Sequence, residues 1–194
     1  PMYELAMIYY GLSQYSDALF FVQSACEIDE ENIWYQQLLA DAFISNQKYR
    51  EAILVYKELL KGQPGNEGWH FKLASAYLFD GQFRKAIEVY NEMEKHVGID
   101  EMLIMQKHRI YLDLNDKKGA KSELKKWIDS EPKNPKPYGL IAEMYLLEGN
   151  QEKAIETLER ILEISPNNGK AHLTLSDLYK NNGKKEKSFE GLFF

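Results

Sequence analysis

The chain has 194 residues, 44% of them hydrophobic and 28% charged, with a formal net charge of −6. That balance suits a folded protein rather than a disordered tail. Its acidic sign, with no Lys/Arg stripe to offset it, argues against nucleic acid as the ligand, because phosphate binding needs a basic footprint. No apolar run approaches the roughly 20 residues that span a bilayer. The single cysteine, Cys26, closes no internal disulfide and carries no information about redox compartment.

Apolar residues recur at helical spacing from end to end, and no proline interrupts such a segment. The spacing predicts helices over about residues 1–12, 16–28, 33–45, 49–62, 67–79, 83–96, 100–113, 117–130, 135–147, 151–164, 169–181 and from 185 onward. Within 33–45, Leu39, Ala40 and Phe43 share one face. Within 49–62, Ala52, Ile53, Tyr56, Leu59 and Leu60 do the same. Turn residues fall between these segments in "DGQ" at Asp80, "EGN" at Glu148 and "NNG" at Asn181, where glycine supplies the left-handed conformation that ends a helix. Pro64, Pro132 and Pro166 close a helix and start the following loop.

The segments repeat. Stepping by 34 from Ala18 gives Ala52, Ala86, Ala120 and Ala154, then Ser188. The same step from Tyr9 gives Phe43, Tyr77, Tyr111, Tyr145 and Tyr179. Two further columns read Leu5, Leu39, Leu73, Lys107, Ile141, Leu175 and Ala6, Ala40, Ala74, His108, Ala142, Ser176. Pro64, Pro132 and Pro166 form a fifth, with Gly98 between them and Glu30 before.

At these residues the chain resembles the tetratricopeptide repeat family, whose pattern runs W-x2-L-G-x2-Y, then A, an aromatic, A and P, at a period of 34. The tryptophan position departs most, holding Gln36, His70, Ile104, Tyr138 and His172. The resemblance implies an all-α fold, a right-handed superhelical solenoid of antiparallel helix pairs. It reads residues 1–194 as one domain with repeats near 1–32, 33–66, 67–100, 101–134, 135–168 and 169–194. Small residues in the Ala6 and Ala18 columns let two helix axes approach closely, and the aromatics fill the space between.

The fourth repeat is irregular. Lys107 and His108 stand where a leucine and a small residue belong, and Lys117 and Lys121 replace an aromatic and an isoleucine. His108 is expected to push its helix outward from its partner, and a slight rotation of the helix is expected to carry Lys107 to water. The functional alternative is a local change of curvature that shapes a ligand groove. The ends break the pattern too: Pro1 enters about two residues late, and Leu192, Phe193 and Phe194 close the chain on apolar residues. A solenoid end usually carries a polar cap. An excerpt of a longer array, or ends buried against a neighbouring molecule and so a route to homo-oligomers, is therefore expected.

No catalytic constellation is found. His70, His96, His108 and His172 include no i, i+4 pair for a metal, so no metal or cofactor site is expected. Cys26 reads as a buried structural thiol with no histidine beside it. No phosphate-binding glycine loop or nucleophile elbow appears. "ELKKW" at Glu123 and "KNNGKKEK" at Lys180 are short, interleaved with acids, and read as surface.

In the family resembled, the first helix of each repeat lines a concave groove. The corresponding positions hold Trp34, Gln37, Asp41 and Ile44; then Phe71, Lys72, Ser75 and Phe79; then Met102, Met105, Gln106 and Arg109; then Lys136, Gly139, Glu143 and Leu147. One family subset clamps a chaperone's terminal carboxylates with Lys, Asn and Arg at such positions. Here Tyr3, Met7, Gln37, Asp41, Phe71 and Ser75 stand there instead, which disfavours that ligand. An aromatic and methionine-rich groove suits adaptable protein contacts, with Lys72 and Arg109 available to an acidic group. Alternatively, several of these residues are ordinary inner positions that pack against the next repeat. The expected function is a non-catalytic scaffold binding a peptide or helix of a partner protein. A self-assembling structural module and the regulatory arm of a larger multidomain protein are the alternatives.

Overall fold

The computed structural model describes residues 1–181, and every regular element among them is an α-helix. In chain order these are α1 (Met2–Gly11), α2 (Tyr15–Ile28), α3 (Ile33–Ser45), α4 (Tyr49–Gly62), α5 (Glu67–Phe79), α6 (Phe83–Val97), α7 (Glu101–Asp113), α8 (Lys117–Ser130), α9 (Pro135–Leu147), α10 (Gln151–Ile164) and α11 (Gly169–Asn181). The helix expected from 185 onward, with Leu192, Phe193 and Phe194, lies outside the described residues. The helices fall into two compact units, Pro1–Gly98 and Ile99–Phe194. In each, successive helices pack on one another as a chain of hairpins.

The helices start where they do for a local reason that recurs. Asn32 Oδ1 accepts from Trp34 N at 3.1 Å, Asn66 from Trp69 N at 3.1 Å and Asp100 from Met102 N at 2.8 Å. Asn134 accepts from Lys136 N at 3.0 Å and Asn168 from Ala171 N at 3.0 Å. These five residues stand 34 apart and cap each first helix from α3 to α11. Such a cap is worth about 1 kcal/mol.

The stops recur as well. Ser13, Gln47, Gly81, Asn115 and Gly149 all adopt positive φ, between 54° and 73°. In each case the next residue's N–H reaches back to the carbonyl of the aromatic column, as in Lys48 N to Phe43 O at 2.8 Å and Asp116 N to Tyr111 O at 2.7 Å. That is the Schellman arrangement. It turns every first helix into its second with the same geometry.

Several positions of the variable tryptophan column share a task. Gln36 Nε2 donates to Glu30 O at 2.8 Å, Tyr138 Oη to Pro132 O at 3.0 Å and His172 Nε2 to Pro166 O at 2.7 Å. At these three positions a side-chain donor of suitable length ties the helix to the preceding loop, whereas Ile104 of the same column has no donor and is buried in the core. His70 takes a nearer carbonyl, with Nδ1 on Asn66 O at 2.9 Å.

The core follows the columns. Ala6, Ala40, Ala74 and Ala142 are buried, as are Ala18, Ala52, Ala86, Ala120 and Ala154 on the helices they face. Phe43, Tyr77 and Tyr179 of the aromatic column are buried beside them. In the second unit, Ile104, Ala120, Leu124, Trp127, Ile141 and Met144 form one cluster. A second, around Leu158, Ile161, Leu175 and Tyr179, continues it.

The irregular fourth repeat corrects three expectations. Lys107 does not reach water: its side chain is 0% exposed, and Nζ lies 2.8 Å from the Glu123 carboxylate, itself 5% exposed. Glu123 is therefore core rather than surface, as are Leu124 and Trp127 of the same "ELKKW". The physical reason is that both charges fall on columns that meet. Position 107 is leucine or isoleucine in the other repeats, and position 123 is Phe21, Val55, Val89 and Thr157. Both sides have changed at once, and Lys107 meets the Glu123 carboxylate, which Lys126 also reaches from the surface at 3.2 Å, so that neither buried charge stands unpaired, which would be prohibitive. Nor does His108 push its helix away. It is buried with Nδ1 3.1 Å from Ala120 O, and α7 packs along α8 much as α3 does along α4. Gly119 makes room for Tyr111, whose ring lies so close that an added Cβ would meet it at 2.4 Å. Lys121 covers the Tyr145 ring at 5.0 Å and pairs with Glu148 at 2.7 Å.

The turn column makes a stability prediction. An L-residue in the left-handed region carries a steric cost of about 1–2 kcal/mol, partly offset by the greater entropy that glycine loses. Gln47→Gly is expected to raise the unfolding free energy by about 0.5–1 kcal/mol and Gly149→Ala to lower it by a similar amount, measured by urea denaturation.

Candidate protein-interaction surface

Within each unit the first helices lie beside one another. In the first unit α1 meets α3 through Tyr3 and Tyr35, whose ring centroids are 4.8 Å apart. α3 meets α5 through Trp69 Nε1, which donates to Gln37 Oε1 at 3.0 Å, and through Lys72 Nζ, 2.8 Å from Asp41. Asp41 also accepts from Tyr56 Oη at 2.6 Å. Burial first, and then the Asp41 carboxylate, hold the Tyr56 hydroxyl far above its ordinary pKa, which keeps it a donor. Gln37, Asp41 and Lys72 are thus joined to neighbouring helices by contacts within the chain.

The aromatic positions of this unit divide. Trp34 is 68% exposed and Phe79 is 61% exposed, the latter stacked on Tyr49 with centroids 5.3 Å apart. Phe71 is half-buried against Tyr90 at 5.7 Å, and Ser75 and Ile44 are half-buried too. Trp34 is not packing between repeats; Trp69 is. The spacing marked both regions as first-helix positions, but a difference of one residue on a helix turns a side chain by about 100°.

In the second unit the first helices α7, α9 and α11 are bridged at their rims. Lys136 Nζ lies 3.1 Å from Glu101, and Lys170 Nζ lies 2.6 Å from Glu143. Between them opens a cavity of about 530 Å³. The structure brings Met105, Lys136, Gly139 and Glu143 together in its lining, with Leu140, Leu146 and Thr174 beside them. Met102, Gln106, Arg109 and Leu147 do not line it. Met102 and Arg109 are exposed, Gln106 is half-buried, and Leu147 is 82% exposed. The feature missed from sequence is the floor. Trp127 comes from the second helix α8 and is buried, and its Nε1 has no hydrogen-bond partner among the described residues. Its column, Ala25, Leu59, Met93 and Ile161, gave no sign of an indole contributing to a first-helix cavity.

The titratable groups show no shared site. His70 and His96 have ring centroids 6.3 Å apart, and among the described residues no three His, Cys, Asp or Glu side chains are placed to hold a metal. Burial, with Asp29 nearby, pushes the Cys26 thiol up from its ordinary pKa, which disfavours the nucleophilic thiolate. Among the described residues no helix is long and apolar enough to cross a membrane.

Comparison with known proteins gives the same architecture. Two tetratricopeptide repeat models match, one at residues 43–97 and one at 135–168. No curated protein matches the chain in sequence. Among solved structures it is similar to a tetratricopeptide repeat protein from Parabacteroides merdae ATCC 43184, with TM-score 0.62, 18% identity, and coverage of 98% of this chain and 75% of that one. It is similar to MamA at TM-score 0.53 and 22% identity, covering 79% of this chain and 90% of that one. It is also similar to YrrB, a tetratricopeptide repeat protein with an unusual peptide-binding site, at TM-score 0.56 and 18% identity, covering 88% of each chain. At these identities the likeness is one of fold.

The two tryptophans of the first unit separate surface from core. Trp34→Ala is expected to change the unfolding free energy by less than about 0.5 kcal/mol. Trp69→Ala, which empties a buried site and strands Gln37, is expected to lower it by about 3–5 kcal/mol. Chemical denaturation of both variants measures the contrast.

Proposed function

We propose that this chain, in which tetratricopeptide repeat models match residues 43–97 and 135–168, is an interaction scaffold that acts without catalysis by holding an apolar side chain of a partner's peptide or helix on the first-helix face of its second unit. The observation that supports this reading most is the cavity floored by Trp127 and rimmed by the Lys136–Glu101 and Lys170–Glu143 pairs. An apolar interior with a few polar groups at its edge is the usual composition of a binding site. Both rim pairs are solvent-exposed on the lysine side, so they cost little to rearrange around a ligand. The first-helix face of the first unit, with Gln37, Asp41 and Lys72 already joined to one another's helices, is the poorer candidate.

Gly139 provides the test. It lies within α9 and lines the cavity, and a Cβ built on it meets nothing within 4 Å. A side chain there grows into the cavity without backbone conflict. Gly139→Ala is expected to raise stability by about 0.5–1 kcal/mol and to keep binding, while Gly139→Phe fills the site and weakens it by at least about 2 kcal/mol. Proteins captured from the source cell's lysate by the wild type and Gly139→Ala, and lost with Gly139→Phe at an unchanged melting temperature, support the reading. Equal capture by all three places the binding surface elsewhere.

A further inference from the structure

A second groove of about 820 Å³ lies in the first unit, on the second-helix side, between the C-terminal halves of α2 and α4 and over the start of α3. Its floor is apolar, formed by Cys26, Leu39, Val55 and Leu59, and Ile33 and Leu54 rise at its edges. Leu54 is 66% exposed and Ile33 is 43% exposed. Four glutamates line the groove, Glu27, Glu30, Glu31 and Glu58, and no basic residue does. Glu58 is paired with Lys61 at 2.7 Å. Glu27, Glu30 and Glu31 form no ion pair among the described residues.

The repeat supplies an internal control. The register-equivalent groove between α8 and α10 is lined by Lys125, Lys153 and Arg160 among four acids. There Arg160 stands in the place of Glu58, and Glu156 in the place of Leu54. One repeat after the first groove, Glu67 and Glu88 stand in the places of Ile33 and Leu54. Of the three places compared, this groove alone has an apolar edge with a single-sign rim, so the fold does not require it. The chain also bears a cost for it. Glu27, Asp29, Glu30 and Glu31 crowd the C-terminal end of α2, where the helix dipole is negative and no basic residue stands in the last turn. Local rules broken without a compensating contact mark functional surfaces.

We propose that this groove docks a basic amphipathic helix of a partner protein, its apolar face on Ile33, Leu54 and Leu59 and its lysines or arginines against Glu27, Glu30 and Glu31. The stretch from Leu54 to Gln63 runs about 14 Å along α4, which fits roughly three turns of a docked helix in the groove mode of recognition. The charges would speed and orient encounter, and added salt would weaken it.

Calorimetry with a synthetic amphipathic peptide of about four turns, leucines on one face flanked by lysines, tests this. A second peptide with glutamate for every lysine serves as the comparison. The wild type is expected to bind the first and not the second. Glu27→Gln/Glu30→Gln/Glu31→Gln should bind at least tenfold more weakly while melting at a higher temperature, since it removes repulsion at the end of α2. Leu54→Glu installs the residue used in the equivalent groove and makes the surface more acidic. Groove docking predicts that it too binds at least tenfold more weakly. Equal or tighter binding by Leu54→Glu would reduce the effect to unspecific charge attraction and overturn the proposal. So would absence of binding by the wild type, or a triple glutamine variant that binds unchanged. Gly139→Phe should leave this binding intact, which separates its outcome from that of the cavity in the second unit.

Discussion

Everything in this structure depends on two alanine columns meeting. Ala40 on α3 and Ala52 on α4, like Ala6 and Ala18 or Ala142 and Ala154, are buried at the crossing of a first helix with its second. Where both alanines are kept, a methyl on each side lets the axes come close; in the fourth repeat His108 takes one of these places and its ring bonds the Ala120 carbonyl. The distance between the axes then fixes where the aromatic column packs, where the chain must turn, and where the next asparagine can cap. The turn answers to the same demand. Five residues of four types share one left-handed conformation, because the carbonyl of the aromatic residue must be satisfied before α2, α4, α6, α8 and α10 begin.

The fourth repeat shows how strictly the columns correspond. A lysine and a glutamate, far apart in sequence terms and each incompatible with its place, are compatible together because their columns are in contact. A buried pair of this kind adds little to stability compared with the leucine and valine it replaces. Among the described second helices only α8 carries an acid at this position. His108 and Gly119 belong to the same adjustment, one a large residue in a small column and the other a small residue under Tyr111.

Much of this was legible in the sequence. The described helices begin and end within a few residues of the expected positions, because apolar periodicity and the alanine and aromatic columns report packing directly. The caps at Asn32, Asn66, Asp100, Asn134 and Asn168 recur at the same period but were not read from the sequence, because they carry no hydrophobic signal. Nor were the turns at Ser13 and Gln47, since neither residue type announces positive φ. Lys107 was misread because a lysine alone at a core position implies water; only the position of Glu123 across the hairpin reverses that. Of the groove positions that the family resemblance implied, Met105, Lys136, Gly139 and Glu143 line the cavity of the second unit. Trp127 was missed because its contribution comes from the second-helix layer.

The two units offer different surfaces. The second has an apolar cavity among its first helices, with ion pairs along the rim. The first has an acidic, apolar-edged groove among its second helices. Both rest on the equivalence of columns, which lets a surface in one repeat be compared residue by residue with the next. The most direct measurement of that equivalence is a double-mutant cycle on the buried pair, read by urea denaturation. Glu123→Val alone, which removes the buried acid beside Lys107, should lower the unfolding free energy by about 3–5 kcal/mol; Lys107→Leu alone, which leaves Glu123 its pair with Lys126, should lower it by less; and the double variant should be as stable as the wild type or more so. A double variant that loses the sum of the two single losses would contradict the account, because the two columns would then not meet as the structure has them.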